Sequence, residues 1–356
     1  MFIKNIIIKN FRNINYCNLD FHNKLNIIIG DNAQGKTNII ESIYYSNFYK
    51  SFRTKNNKNL IKIDKDNFNI EVNLIKKNVS NNLKLSLDNK NNRKILLNNK
   101  SPETIGLYNI VNTIIYYPSE INLLMIYPSY RRNLIDRSIF FIENGYINTI
   151  KKYNKILKQR NSFLKIYSNE YDPWVDQILD ISEEIIKKRI EYVDRINNKF
   201  LELYDHDNLN EKHFIKYKNY KMDSIKSEVL KSYRNVKDKE KKYGYTLFGP
   251  HIDDYNFYIN NRNIKNYSSE GQKKYFLLNF KYSQLLDYVD IYDDYPIILY
   301  DDYGSELDVD RQRLYFEKIY EKSGQLFITS TKPLNNIHSD CKFMNVEDGV
   351  ISDFLF

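Results

Sequence analysis

The chain has 356 residues, 42% of them hydrophobic and 28% charged, so a large folded core is expected and a disordered or fibrous chain is not. Its net charge of +9 favours a polyanionic partner, either nucleic acid or an anionic membrane surface. Cys17 and Cys341 stand far apart without companions, which argues against a disulfide framework or a zinc site. The 32 tyrosines accompany an excess of Asn, Lys and Ile typical of A+T-rich coding, so their number alone is no argument for base stacking.

At the N-terminus, Ile3 to Ile8 and Asn18 to Phe21 read as short strands around a turn at 10–15. Lys4 and Lys9 interrupt the apolar run too early for a signal peptide, and no run reaches the roughly 18 apolar residues of a membrane span. A cytoplasmic location without a membrane partner is expected. Arg12 either neutralises a nucleotide phosphate or is an ordinary surface arginine.

The apolar run Leu25 to Ile29 then meets Gly30-Asp31-Asn32-Ala33-Gln34-Gly35-Lys36-Thr37, and a helix is expected over Asn38 to Asn47. Strand, glycine-bounded turn and helix start, in that order, supply the context that the G-x-x-x-x-G-K-[ST] phosphate loop requires. The glycines let successive N–H groups face one anion, and the helix adds its positive end. Lys36 would reach the β- and γ-phosphates of ATP, and the Thr37 hydroxyl would ligate Mg²⁺.

Alternating apolar and polar residues from Phe68 to Leu97, broken by Asn-rich turns, predict an antiparallel meander. Lys50, Arg53, Lys55, Lys58, Lys62 and Lys65 precede it, either as a solvated face or as a DNA contact. After Pro118 the pattern turns helical to about Lys237, with Ile150, Tyr153, Leu157 and Leu164 on one stripe and Val175, Ile178, Ile185, Val193, Ile196 and Phe200 on another. Lys151, Lys152, Lys155, Lys158 and Arg160 make one helix strongly basic, again a solubilising face or a contact.

Strands are expected to resume at Tyr245 to Phe248 and Tyr255 to Ile259, with His251 between them as a titrating or a structural group. Ser269-Glu270-Gly271-Gln272 opens a further helical stretch and resembles an ABC signature. Tyr295 to Tyr300 ends in Asp301-Asp302, the pattern of a Walker B strand, in which Asp301 would hold Mg²⁺ and Asp302 would orient the attacking water. One ATP cannot need two anion cradles from the same face, so Ser269, Gly271 and Gln272 are expected to serve a partner subunit's nucleotide across a two-fold axis. Ser305-Glu306-Leu307-Asp308 follows and resembles a D-loop. The catalytic set is then Lys36, Asp302 and Ser269. The expected fold is α/β: an ABC-type P-loop ATPase head formed by 1–118 and 238–356, with an antiparallel β subdomain and an inserted α-helical arm at 119–237.

Over nearly its whole length the chain resembles the RecF family of bacterial recombination mediators, small relatives of the SMC-type ABC proteins. Lys9-Asn10-Phe11-Arg12-Asn13, Ser51-Phe52-Arg53-Thr54, Arg131-Arg132, Lys158-Gln159-Arg160-Asn161 and Gly249-Pro250-His251-Ile252-Asp253-Asp254 carry the resemblance beyond the generic ATPase motifs. Pro118-Ser119-Glu120, Ile126 and Lys273 depart from the family pattern and blur the lid loop. The resemblance implies a weak, DNA-stimulated ATPase that dimerises with ATP. It further implies binding to single-stranded or gapped DNA, work with RecR and RecO in loading recombinase, roles in replication and SOS induction, and a γ-phosphate switch at Thr331 or a neighbour. A transporter ATPase subunit and a structural SMC-like tether are the alternatives.

Overall fold

The computed structural model describes residues 1–102, 110–143, 145–166, 172–206, 211–217, 220–304, 309–332, 334 and 340–353. The chain divides into two compact units, one formed by Met1–Glu120 with Leu277–Phe356, the other by Ile121–Phe276.

The first unit is built on a six-stranded sheet. β7 (Thr113–Tyr116), β11 (Ile297–Tyr300), β12 (Gln325–Ser330), β3 (Leu25–Ile29) and β13 (Lys342–Glu347) run parallel in that spatial order, and β14 (Val350–Asp353) closes the edge antiparallel. Every residue of β3, β7, β11 and β12 is buried, as continuous apolar runs in a parallel sheet covered on both faces should be. The polar exceptions replace missing backbone partners: the Gln325 side chain accepts from the Ile3 N–H at 2.8 Å and donates to the Ile3 carbonyl at 2.9 Å.

A second, antiparallel sheet has the order β2 (Ile14–Asp20), β1 (Phe2–Phe11), β4 (Asn67–Lys76), β5 (Val79–Asp88), β6 (Arg93–Leu97). Its apolar positions alternate, with Ile6 opposite Val72 and Ile70 opposite Leu85, so one face is buried. The β4–β5 turn needs two left-handed residues and has them in Lys77 and Asn78, at φ 48° and 62°. Helix α1 (Lys36–Phe48) packs on both sheets, and its Tyr45 ring meets Phe68 edge-on at 5.3 Å. Helix α9 (Val309–Lys322) packs on β12.

The second unit contains α2 (Glu120–Ile126), which starts at the boundary, then α3 (Pro128–Ile142), α4 (Tyr146–Ile166), α5 (Val175–His206) and α6 (Ile225–Tyr243). With them come a small antiparallel sheet of β8 (His213–Tyr217), β9 (Tyr255–Ile259) and β10 (Arg262–Asn263), and the one-turn α7 (Ile264–Tyr267). The 32 residues of α5 span about 48 Å and bury Ile178, Ile185, Tyr192, Ile196 and Phe200 along one stripe. Helix α8 (Glu270–Tyr292) begins in this unit and ends in the first.

Three expectations change here. The second boundary falls at 276/277 rather than 237/238, because β9 pairs with β8 and keeps 238–276 in the second unit. The segment Tyr245 to Phe248 is not a strand: the Thr246 N–H and hydroxyl both donate to Asn161 Oδ1, and the Leu247 N–H donates to Glu240. Arg160 is not on the solvated face of its helix. It is 1% exposed, with Nη2 2.7 Å from Glu240, Nε 2.8 Å from Asp172 and Nη1 2.8 Å from Thr246.

Glu240 is itself 1% exposed, so removing its partner leaves a buried charge. Arg160→Ala should therefore destabilise the second unit by about 3–5 kcal/mol, read as a lower urea midpoint; a change under about 1 kcal/mol would mean that Glu240 finds another partner.

Candidate active site

The loop after β3 is shaped by two close approaches that only glycine permits. A Cβ at Gly30 would lie 2.3 Å from the Val346 carbonyl of β13, and one at Gly35, at φ 120°, would lie 2.9 Å from the Asn13 side chain. Gln34 anchors the loop from outside: its carbonyl accepts from Asn13 Nδ2 and from the Gly349 N–H, both at 2.9 Å, and its side chain accepts from the Asp348 N–H. The Lys36 ammonium folds back on the loop, donating to the carbonyls of Gly30 at 2.7 Å and Asp31 at 2.8 Å. Burial lowers its pKa, against the opposing pull of Asp302, Asp301 and Asp31.

Asp301 leaves β11 one strand removed from β3, with β12 between them. The Thr37 hydroxyl lies 2.9 and 3.0 Å from its two carboxylate oxygens, and the Thr329 hydroxyl of β12 donates to Oδ1 at 2.7 Å. The Asp302 N–H donates to Thr329 Oγ1 at 2.7 Å, and Asp302 itself takes a left-handed φ of 58°. Burial raises the pKa of Asp301; the two threonine hydroxyls lower it, the neighbouring Asp302 adds to the rise, and Arg53 opposes it. Hydroxyl and carboxylate are hard oxygen donors, a set that fits Mg²⁺ sharing phosphate oxygens of a nucleotide.

These residues line one cavity of about 460 Å³, together with Asn32, Ala33, Gly35 and Asp302. Gly30, Asp31 and Gln34 shape it through their backbone contacts. Ser269, Gly271 and Gln272 belong to the second unit, where Ser269 forms a reciprocal cap on α8: its Oγ accepts from the Gln272 N–H at 3.2 Å, and Gln272 Oε1 accepts from the Ser269 N–H at 3.1 Å. Ser269 is exposed. Ser305 to Asp308 lie outside the described residues.

Several side chains depart from expectation. Arg12 pairs bidentately with Glu41 at 2.8 and 2.9 Å, and Glu41, fully buried on α1, also accepts from the Ser51 hydroxyl. Within the basic run at 50–65, Arg53 lines the cavity and donates to Asn38 at 2.8 Å, while Lys62 donates to the Asn13 carbonyl. Thr331 is exposed, and two residues before it the Thr329 hydroxyl of β12 donates to Asp301. Phe52 and Tyr117, with ring centroids 4.7 Å apart, also line the cavity and carried no motif signal. His251 is structural: Nδ1 lies 2.6 Å from the Tyr153 hydroxyl and Nε2 3.2 Å from the Thr246 carbonyl, and burial lowers its pKa.

A phosphate loop after an inner strand of a parallel sheet, facing a buried acid with one strand between them, is the architecture of a P-loop ATPase head. The sequence model described as the RecF/RecN/SMC N-terminal domain matches residues 2–351. The DNA replication and repair protein RecF of Clostridium botulinum (strain Alaska E43 / Type E3) is 32% identical over 371 aligned positions, covering 99% of each chain. RecF of Bacillus subtilis (strain 168) is 32% identical over 346, covering 93% of each. A solved structure of the recombination mediator protein RecF with ATP, from the RecFOR pathway, superposes with a TM-score of 0.87 at 27% identity, covering 99% of both chains. An SMC head bound to the C-terminal winged-helix domain of ScpA gives a TM-score of 0.58 at 14% identity and shares the fold alone. The class is thus the ABC-type ATPase head with an antiparallel β subdomain and an inserted helical unit. Within it, the chain belongs to the RecF family of DNA replication and repair proteins.

Because the folded state raises the pKa of Asp301, the group favours the fold when protonated and disfavours it as pH climbs above the ordinary carboxylate range. Asp301→Asn should therefore raise the melting temperature of nucleotide-free protein at pH 7 by about 2 °C or more, and the gain should shrink toward pH 4. A loss of stability at pH 7 would show that the ionised form is favoured there.

Proposed function

We propose that this protein is an ATP-dependent DNA-binding protein that dimerises around ATP and acts in recombinational repair, replication and SOS induction. In this reading it helps to load recombinase at single-stranded or gapped DNA, together with RecR and RecO. The observation that carries it is the convergence of Lys36, Thr37, Asp301 and Thr329 on one cavity. Support for the DNA side comes from the net charge of +9 and from the names of the relatives. The 32-residue α5, about 48 Å long, is short for a tether arm, which counts against the tether alternative; a transporter ATPase subunit would differ in co-purifying with a membrane partner.

In the proposed cycle Lys36 exchanges the Gly30 and Asp31 carbonyls for the β- and γ-phosphates of ATP, and the glycine-bounded loop turns its N–H groups to the same anion. Thr37 and Asp301 would hold Mg²⁺, which when bound would offset the negative charge of the phosphoryl oxygens. Asp302 orients the attacking water, with Thr329 fixing its backbone. Ser269, Gly271 and Gln272 of a second copy complete the site, so each homodimer holds two composite sites. Asp302 is one methylene shorter than glutamate, and a misplacement of about 1 Å can cost roughly a hundredfold, so hydrolysis is slow.

Two measurements test this. Lys36→Met and Ser269→Arg should each abolish ATP turnover alone, whereas a random mixture should restore about one quarter of the sites, since half the dimers are mixed and each carries one intact site. No recovery at high protein concentration, with mixed dimers verified by differential tags, would mean that Ser269 only caps its helix. Asp302→Asn should prolong the ATP-bound dimer on gapped DNA roughly tenfold or more; unchanged dissociation would remove Asp302 from the water-orienting role.

A further inference from the structure

Helix α4 carries six basic residues and no acid over its 21 residues. At about 100° per residue, Lys151, Lys155, Lys158 and Lys165 fall within one arc of about 80°, diametrically opposite the buried stripe of Tyr153, Ile156, Arg160 and Leu164. All four lysines are exposed, and the row is about 21 Å long. It ends at a specific place. The Lys165 Cγ would lie 3.2 Å from a Cβ at Gly244, the left-handed C-cap of α6, and Gly244 stands between Tyr243 and Tyr245. Those rings stack with centroids 6.0 Å apart at 25°, yet remain 55% and 48% exposed. The segment is not loose, because Asn161 of α4 fixes Thr246 through both its N–H and its hydroxyl. Glu240 and Asp172, the nearest acids to Arg160, turn inward to it and not toward the lysine row.

We propose that the Lys151–Lys165 row and the Tyr243–Tyr245 pair form a binding surface for single-stranded nucleic acid, a reading that rests on the proposed DNA-binding role and gives it a location. The lysines would track the phosphates, and the outward ring faces would stack an unpaired base. A duplex hides its base faces in the stack, so the tyrosines discriminate for single strands while the lysines serve either form. What argues for stacking is the placement of the two tyrosines beside a cationic row, not the abundance of tyrosine in the chain.

The test uses fluorescence anisotropy of labelled oligo-dT, an abasic strand of equal length, and a duplex, with the full-length protein. Replacing Lys151, Lys155, Lys158 and Lys165 by Gln should reduce the slope of log affinity against log salt for oligo-dT by about 3, at roughly 0.7 per single-strand phosphate. Tyr243→Ser with Tyr245→Ser should leave that slope unchanged but weaken oligo-dT binding roughly fivefold to a hundredfold, and should not affect the abasic strand or the duplex. Thermal melts check that these exposed substitutions leave the fold intact. An unchanged slope in the lysine variant, equal losses for oligo-dT and the abasic strand in the tyrosine variant, or binding of the row to anionic vesicles instead of oligonucleotide would overturn the proposal. If the parent protein bound none of the three probes, the DNA-binding role itself would fall; the loss of ATP turnover in Lys36→Met is independent of that result.

Discussion

One buried carboxylate joins three elements of the first unit. Asp301 receives the Thr37 hydroxyl from the helix after the phosphate loop and the Thr329 hydroxyl from β12, so three consecutive parts of the sheet edge are fixed relative to one another through a single side chain. Burial makes its charge costly, and among the described residues two neutral hydroxyls donate to it while Arg53 favours its charged form from nearby. A divalent cation placed between Thr37 and Asp301 would relieve that cost directly.

The second unit is held by guanidinium groups in place of a large apolar sheet. Arg160 ties α4 to the end of α6, and Arg189 of α5 pairs bidentately with Asp136 at 2.9 and 2.8 Å while donating to the Pro250 carbonyl at 2.7 Å. Asp253, 1% exposed, accepts from the hydroxyls of Tyr217 and Tyr220. Arg131 completes the set with a bidentate pair to Asp254 at 2.7 and 2.8 Å. Arg, with a planar fork of five donors, can satisfy partners on several elements at once, and the segment from Gly249 to Asp254 supplies several of those partners. Its residues are the counter-groups of a polar core.

What the sequence discloses follows from how local each constraint is. The phosphate loop is legible because the demands on Gly30 and Gly35 arise within a few residues, and the meander is legible because a half-buried antiparallel sheet imprints alternation on Phe68 to Leu97. Thr329 is hidden for the opposite reason. In a parallel strand buried on both faces no periodicity marks the side that meets Asp301, and only the order β11–β12–β3 reveals it. Arg12 and Glu41, 29 positions apart, meet through the hairpin of β1 and β2, which spacing alone does not predict. Arg160 was open to discovery: it lies seven residues after Tyr153 on the buried stripe, and composition masked it by grouping it with four exposed lysines.

The cations at the cavity are also not idle donors awaiting an anion. Lys36 is engaged by two loop carbonyls, and Arg53 by Asn38 at 2.8 Å with Glu41 at 3.6 Å. A phosphate must displace these contacts, so its binding free energy is a difference between two sets of hydrogen bonds and not the sum of the new ones. Such an exchange favours the ligand that satisfies both cations at once. Because Asn38 is itself hydrogen-bonded to Asn13, and Asn13 to the Gln34 carbonyl, the position of Arg53 is tied to the backbone of the phosphate loop through two amide side chains. Asn13 and Asn38 stand outside the phosphate-loop motif, yet through the Gln34 carbonyl they couple a cavity cation to it.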